Sequence, residues 1–369
     1  MIPLNDPARK FKLNDDLMNQ LILLFKSGPY LNGPIRDGFE QVFAEYIGVD
    51  SCVGVSSGTS ALELAFKSLN LPDGSEILMT ANSGGYGSIA AVNSGLTPKY
   101  FDVDEQGLAS IESLKTRFTT KSKALLITHL YGQMADIKII KNFCDNNNIY
   151  LIEDCAQSTG SKLKNQKSGS FGNLSTFSFY PTKNLATMGD AGAVCTSDPI
   201  LAIRLRELRE YGWNERYDAN ISGGSNFRMD EFHAKVLVDQ LKELDDKNII
   251  RRGIWNRYSN TLEKLGLNII GNSSESFVAH LGVIRVKNRG EIMEKFAKLG
   301  VQTSAHYPIP DYRQKAFEKY FDMELKVTDA LCKEVLTIPL FPEMIENEIL
   351  QVEESLLDIF STNENLVSK

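Results

Sequence analysis

The chain has 369 residues, with 40 Lys and Arg against 47 Asp and Glu, and a formal net charge of −7. This acidic balance argues against a nucleic-acid-binding protein, whose surface is usually basic. A composition that is 42% hydrophobic and 24% charged excludes global disorder and collagen-like or coiled-coil chains. At roughly 150 residues per domain, the length predicts about two domains.

The first two thirds of the chain alternate short apolar runs with amphipathic segments. Strands are predicted at 51–55, 76–80, 99–103, 124–130, 150–153, 176–179 and 193–196. Helices are predicted at 60–69, 89–93, 111–118, 137–146 and 200–211. This alternation predicts an α/β fold with a mostly parallel central sheet flanked by helices. Ligands of such sheets bind beyond the carboxyl ends of the strands.

The pattern changes near residue 229. Helices are predicted at 229–247, 249–265, 290–299 and 346–360, a strand at 280–286 and a polar tail at 361–369. We therefore expect a large domain over residues 1–245 and a smaller C-terminal α+β domain over residues 246–369.

The five cysteines and the N-terminus predict a cytoplasmic protein. The cysteine count is odd and no two cysteines form C-x-x-C, which favours buried thiols in a reducing compartment over disulfides or a zinc site. The first residues lack the apolar core of a signal peptide. No stretch approaches the roughly 20 apolar residues of a membrane span.

Three groups of polar residues follow predicted strands. The small residues of Ser56–Ser60 precede a helix, where they suit either an anion or a plain N-cap. Glu153 and Asp154 close a strand, where an acid could hold a ring nitrogen, ligate a metal or cap a turn. The third group is Lys183, just after Pro181 breaks a strand.

Lys183 alone would be read as a solvated loop lysine. A lysine, an acid and a phosphate cradle together, however, are what a pyridoxal phosphate (PLP) site requires. Small residues at 189–192 leave room for a bound ring. The combination therefore predicts a PLP site with Lys183 and Asp154 at adjacent strand ends.

These residues resemble the DegT/DnrJ/EryC1/StrS sugar aminotransferases, which have the PLP-dependent transferase type I (aspartate aminotransferase) fold. The matching segments are SSGTSALELA, THLYGQMADI, IEDCAQSTGS, SFGNLSTFSFYPTKNLATMGDAGAV, LREYGWNERY, SNFRMDEFHAKVL and AHYPIP. They run from Ser56 to Pro310. The resemblance implies PLP as the cofactor, alternating with pyridoxamine phosphate (PMP) during the reaction.

The resemblance also implies roles for single residues. Lys183 would bind the cofactor covalently and act as the catalytic acid and base. Asp154 would pair with the pyridine nitrogen, and Gln157 would lie beside the 3-oxygen.

The phosphate would be held by Gly58, Thr59 and Ser178. Asn226 would complete this phosphate site from a partner subunit, so the resemblance implies a homodimer with shared active sites.

Two further assignments remain open between function and packing. Many relatives carry an aromatic ring directly after the second strand, whereas this chain has Ala81-Asn82-Ser83-Gly84-Gly85-Tyr86. Tyr86 is the candidate for stacking on the cofactor, or else a core or surface tyrosine. His306 and Tyr307 are candidates for binding substrate, or else form a domain-packing turn.

His129 is expected to be structural. His233 and His280 are expected to be ordinary helix and strand residues, and no metal site is expected.

The activity implied by the resemblance is transfer of an amino group from glutamate to a dTDP- or UDP-linked keto-6-deoxysugar. Such sugars serve surface polysaccharides, including lipopolysaccharide, or antibiotics. The segment A-H-Y-P-I-P favours amination at C3 over C4. A sugar dehydratase of the same family would carry histidine in place of Lys183, and a non-catalytic member would have lost Lys183 or Asp154. Neither membrane nor nucleic acid is expected as a partner.

Overall fold

The computed structural model describes residues 1–11 and 15–361, so the end of the predicted tail, 362–369, lies outside the described residues. The helices are α1 (Pro7–Lys10), α2 (Asp15–Ser27), α3 (Pro34–Ile47), α4 (Gly58–Ser68), α5 (Tyr86–Asn93), α6 (Ile111–Arg117), α7 (Ile137–Asn147), α8 (Pro199–Arg209), α9 (Glu231–Leu241), α10 (Leu244–Lys264), α11 (Arg289–Lys298), α12 (Lys326–Glu334) and α13 (Glu346–Phe360). Within the described ranges, none of these helices is long and apolar enough to cross a membrane.

The strands form one large sheet and three small ones. They are β1 (Ser51–Val55), β2 (Glu76–Thr80), β3 (Thr97–Phe101), β4 (Ser122–Thr128), β5 (Tyr150–Asp154), β6 (Lys162–Leu163), β7 (Gln166–Lys167), β8 (Leu174–Ser178), β9 (Gly192–Thr196), β10 (Trp213–Glu215), β11 (Asp218–Ala219), β12 (Ile269–Ile270), β13 (Gly282–Arg285) and β14 (Val335–Ile338).

The large sheet has seven strands in the order β1-β9-β8-β5-β4-β2-β3. Only β9 runs against its neighbours β1 and β8, and the other pairs are parallel. The predicted mostly parallel sheet is therefore confirmed. Residues on both faces of β1, β2 and β4 are largely buried, which agrees with their apolar sequences.

Several helices begin where the sequence offers a capping side chain. The Ser57 side chain accepts the backbone N–H of Ser60 at the start of α4, and Ser110 caps α6 in the same way. Asp198 caps α8 and is followed by Pro199 at the first helical position. Such caps satisfy N–H groups that have no partner inside the helix, so α4 starts directly beyond the carboxyl end of β1.

The C-terminal part builds its own core around the antiparallel sheet β12-β13-β14. Trp255 and Tyr258 of α10, Phe296 of α11 and Val352 of α13 are completely buried there. Ile2 joins this core from the other end of the chain. The helix α10 links the two parts, because Leu244 at its start packs in the core beside β9. The boundary after residue 245 stays a prediction.

Candidate active site

The predicted site residues meet in one cavity of about 470 Å³ at the carboxyl ends of the parallel strands. It is lined by Ser57, Gly58, Thr59, Leu62, Tyr86, Asp154, Ala156, Gln157, Ser178, Tyr180, Thr182, Lys183, Asp190, His280, Leu281, His306 and Tyr307. Of the ten residues that the sequence nominated, Asn226 alone does not line this cavity. Polar groups that converge in a single cleft of this size are typical of a small-molecule site.

An anion cradle lies where α4 meets β8. A Cβ added to Gly58 would come within 2.6 Å of the Ser178 Cβ, so only glycine allows this close approach. The first N–H groups of α4 have no acceptor within the helix, and the helix dipole favours negative charge at the same point. With the Thr59 and Ser178 hydroxyl groups alongside, this end of the cavity suits a phosphate group.

Asp154 ends β5 on the cavity wall and is 6% exposed. Its Oδ1 accepts the backbone N–H of Ala156 at 3.0 Å, and its Oδ2 accepts the Thr128 hydroxyl at 3.4 Å. Burial raises the pKa of Asp154, and the positive charge of Lys183 opposes that rise. A buried carboxyl with few hydrogen bonds can hold a protonated ring nitrogen.

Lys183 follows β8 in the turn that begins at Tyr180, whose carbonyl accepts the Lys183 N–H at 2.8 Å. Its amine has no protein hydrogen-bond partner within residues 1–11 and 15–361. Burial lowers the pKa of Lys183 to about 8, and the negative charge of Asp154 only partly offsets it. Such an amine is partly neutral near pH 8, which is the nucleophilic form.

Gln157 connects this wall to the C-terminal part of the chain. Its Oε1 accepts the backbone N–H of Tyr131 at 2.6 Å, and its Nε2 donates to the Tyr307 hydroxyl at 3.2 Å. His306 is fixed on both sides, since its carbonyl accepts the Tyr131 hydroxyl and its Nδ1 lies 2.9 Å from the Thr337 Oγ1. His306 and Tyr307 therefore close the cavity from the C-terminal part of the chain.

Tyr86 begins α5 and reaches the cavity after a tight turn. Gly84 and Gly85 both have positive φ, 82° and 83°, which glycine adopts without strain. A Cβ on Gly84 would lie 2.9 Å from the Tyr307 ring, so the glycines also make room for that ring. Tyr86 and Tyr307 meet edge to face with centroids 6.3 Å apart; whether Tyr86 stacks on the cofactor stays a prediction.

Asp311 holds this turn in place from the C-terminal part of the chain. Its completely buried carboxylate accepts the Gly85 N–H at 2.9 Å and the Ser88 hydroxyl at 2.7 Å. Burial raises the pKa of Asp311 to about 6. Nothing in the local sequence D-Y-R marked this residue, because its partners lie more than two hundred positions away.

Glu153, next to Asp154, points to the other side of β5. Its carboxylate accepts the backbone N–H groups of Gly169, Phe171 and Gly172 at 2.7–2.9 Å. Its Oε2 also lies 3.0 Å from Nε2 of the buried His129. These bonds occupy the carboxylate, so Glu153 and His129 serve the fold, which agrees with the structural role expected for His129.

His280 is a cavity residue that the sequence analysis assigned to an ordinary strand. It precedes β13, and its Nδ1 lies 2.9 Å from Asn184 Oδ1. Burial lowers the pKa of His280 well below its usual value, and the charges of Lys183 and Arg251 act in the same direction. The protonated form of the ring is therefore disfavoured. In the sequence, His280 is simply the first residue of the predicted strand 280–286, and no motif marks it as a cavity residue.

Asn226 is exposed and belongs to a segment on the edge of the large sheet. The neighbouring Phe227 carbonyl accepts the Ser56 N–H at 2.9 Å, and Arg228 forms a bridge with Val55. The Asn226 Oδ1 accepts from Arg228 Nε at 3.0 Å. The residue thus faces outward from the strand that leads into the anion cradle.

The lining residues fit PLP by their chemistry. A helix N-terminus with a glycine that no larger residue could replace suits the phosphate. A buried carboxyl suits the ring nitrogen, and a lysine amine without another partner suits covalent attachment. Gly58, Thr59 and Ser178 would hold the phosphate, Asp154 the ring nitrogen and Lys183 the reactive carbon.

Comparison with known proteins agrees with this chemistry. A family model described as the DegT/DnrJ/EryC1/StrS aminotransferase family matches residues 12–357. The chain is 34% identical over 360 residues to a dTDP-3-amino-3,6-dideoxy-alpha-D-galactopyranose transaminase of Aneurinibacillus thermoaerophilus, covering 96% of this chain and 99% of the relative.

Two solved structures extend the similarity to the fold. DesV of Streptomyces venezuelae superimposes with a TM-score of 0.94 at 31% identity, over 98% of this chain and 99% of that one. NtdA of Bacillus subtilis, solved with bound cofactor PMP, gives a TM-score of 0.91 at 29% identity, over 98% of this chain and 85% of that one.

Proposed function

This chain belongs to the DegT/DnrJ/EryC1/StrS aminotransferase family and is a PLP-dependent aminotransferase, and we propose that it moves an amino group from glutamate to a nucleotide-linked keto-6-deoxysugar. The observation that carries the proposal is the one cavity that joins the Lys183 amine, the buried Asp154 carboxyl and the start of α4. The name of the Aneurinibacillus relative supports a dTDP-linked substrate and amination at C3.

The chain's own residues account for binding and proton transfer. When bound, the cofactor supplies an electrophilic carbon and an electron sink. The Lys183 amine holds the cofactor and, once the amino donor has displaced it, takes and returns a proton at Nζ. A pKa of about 8 suits a group that must act as both base and acid near neutral pH. Asp154 keeps the ring nitrogen protonated, and Gln157 orients the ring from its side.

His306 and Tyr307 line the cavity from the C-terminal part of the chain beside His280, and Asp190 lines it from the large-sheet part. We propose that His306 and Tyr307 contact the sugar or its diphosphate. The neighbouring segment is stiffened by Pro308 and Pro310, which reduces the loss of chain entropy when the ligand is ordered.

We propose that the enzyme acts as a homodimer and that Asn226 completes the phosphate site of the partner subunit. Support comes from the position of Asn226, which is exposed at the edge of the large sheet beside β1, the strand that leads into the anion cradle. The helix α2 also presents exposed apolar side chains, with Leu23 64% and Phe25 56% exposed.

We place the enzyme in the cytoplasm because all five cysteines are free and buried, which suits a reducing compartment. We assign its product to surface polysaccharide or antibiotic sugars, as the resemblance implies.

Mixing two inactive variants tests the shared site. Lys183→Ala removes the amine and Asn226→Ala removes the partner's contribution. A one-to-one mixed population should regain about a quarter of the wild-type activity, because half of the dimers are mixed and each then has one intact site. If Asn226 served its own subunit, mixing would restore no activity.

The half-reaction with glutamate tests the chemistry. The purified holoenzyme should absorb in the visible range, and glutamate should bleach that band as the cofactor takes up the amino group. Lys183→Ala should lose the covalently held cofactor. Persistence of the band in Lys183→Ala would contradict the assignment of Lys183.

A further inference from the structure

The N-terminal segment, residues 2–10, lies between the second domain and the turn that carries Lys183. On the second-domain side, Ile2 pairs with Val301, and the Leu4 N–H donates to Gln302 Oε1 at 3.2 Å. Arg9 donates to both carboxylate oxygens of Glu348 at 2.7 and 2.8 Å, a bidentate geometry that fixes direction as well as distance. The segment is therefore anchored to the chain that follows α11 and to α13.

The other end of the segment reaches the main chain of the active-site turn. The Lys10 Nζ donates to the carbonyl oxygen of Lys183. Asn5 Nδ2 donates to the carbonyl of Thr182 at 3.4 Å. Among the described residues, no other group donates a hydrogen bond to the carbonyls of Thr182 and Lys183. Thr182 and Lys183 both line the cavity, so the segment holds the backbone from which the Lys183 side chain enters it.

Lys10 occupies an unfavourable place for a charge. Its side chain is buried, with 5% of the residue exposed. Burial lowers the pKa of Lys10 well below its usual value, and the nearby charges of Arg251, Lys247 and Lys183 lower it further, while Glu343 opposes them. A buried amine among cations is unfavourable unless it makes specific hydrogen bonds. Within the part of the chain that the structure describes, the Lys10 side chain makes one, to the carbonyl of Lys183.

We infer that Lys10 is a positioning residue for Lys183: it fixes the main chain of the active-site turn and ties it to the second domain through the N-terminal segment. The inference rests on the proposed role of Lys183. A displacement of about 1 Å at a reacting group can slow a reaction by up to about a hundredfold, and without the Lys10 bond nothing else in the segment holds the Lys183 carbonyl.

The test measures covalent capture of the cofactor by the full-length apoenzyme. PLP is added, samples are reduced with borohydride at intervals, and the modified fraction of the Lys183 peptide is read by mass spectrometry. Lys10→Met keeps the length of the side chain and removes the donor, and we expect capture at least about tenfold slower. Lys10→Arg keeps a hydrogen-bond donor at this position and should capture the cofactor faster than Lys10→Met. Lys115→Met, at an exposed lysine of α6, is the matched control and should equal wild type.

Binding of PMP, which cannot attach to lysine, separates positioning from damage to the cavity. We expect Lys10→Met to bind PMP within about twofold of wild type, because the phosphate cradle does not involve Lys10. Capture at the wild-type rate in Lys10→Met would overturn the inference, as would an equal loss of PMP binding and capture. If Lys10→Met does not fold, Asn5→Ala decides: slower capture supports the inference and an unchanged rate contradicts it. Absence of any adduct at Lys183 in wild type would instead refute the proposed role of Lys183.

Discussion

Replacing Lys183 by methionine should stabilise the cofactor-free protein, and the gain should shrink as pH rises. Burial lowers the pKa of Lys183 from 10.5 to about 8. At pH 7 the amine is protonated in both the folded and the unfolded chain, so the folded state bears the whole cost of the buried charge. A shift of this size corresponds to about 3 kcal/mol.

The sign of the pH dependence follows from proton binding. Between pH 8 and 10.5 the unfolded chain binds more protons at this lysine than the folded protein does, so the free energy of unfolding of the wild type rises with pH. Relative to Lys183→Met, the wild type should gain about 2 kcal/mol between pH 7 and pH 9.5.

The assay is urea unfolding of both apoproteins at matched concentration across this pH range. Lys115→Met, which removes an exposed lysine of α6, should show a constant difference from wild type. A constant difference for Lys183→Met as well would refute the reasoning, because it would mean that the folded protein leaves this amine with an ordinary pKa.

Three further changes test other parts of the account. Gly58→Ala should weaken binding of the cofactor by at least about tenfold in a fluorescence titration, because its Cβ would meet Ser178 at 2.6 Å. The control is Gly38→Ala, in open space on α3, which should leave the affinity unchanged and the stability equal or slightly higher. Equal affinities of the two variants for the cofactor would contradict the role of Gly58 in the anion cradle. Glu153→Gln should lower the free energy of unfolding, measured in urea, by about 3 kcal/mol. The reason is that an amide cannot accept hydrogen bonds from all the backbone N–H groups that the carboxylate serves. A loss below about 1 kcal/mol would speak against that role. The last change is Asp311→Asn, at a carboxyl whose pKa burial raises to about 6. Between pH 4.5 and 7 the free energy of unfolding of the wild type should fall by about 2 kcal/mol relative to the variant in the same assay. A pH-independent difference would show that the carboxyl titrates normally.

The sequence predicted the parts of the fold that depend on local patterns. The apolar runs of β1 and β2 and the amphipathic α13 were placed at their observed bounds, since burial of a strand or of one helix face leaves a direct trace in the sequence. Asp154 and Lys183 were found because a fold with parallel strands gathers strand-end residues at one edge. The family assignment was also correct.

Predicted bounds were wrong where tertiary contacts override the pattern. β3 was predicted at 99–103 but spans Thr97–Phe101, because Pro98 is tolerated on an edge strand and Val103 instead forms a bridge with Ala109. β4 was predicted to reach residue 130 but ends at Thr128, because a 3-10 turn at Leu130–Gly132 follows it.

Other elements were not predicted from the sequence. No helix was predicted before β1, yet α1, α2 and α3 precede it. α12 and β14 were missed in the same way. Lys10 illustrates the limit most clearly, because its bond to Lys183 spans 173 positions and depends on how two cores are packed together. Pairings of this kind follow from the three-dimensional fold and have no local pattern.

Transfer of isotopically labelled nitrogen tests the central claim most directly. The holoenzyme is incubated with labelled glutamate and a dTDP-linked 3-keto-6-deoxyhexose, and the nucleotide sugar is analysed by mass spectrometry. The account predicts a labelled amino group on the sugar, formed only when Lys183 is present. Unlabelled or unchanged sugar with a fully loaded, glutamate-reactive enzyme would contradict the claim that a nucleotide-linked keto-sugar is the acceptor.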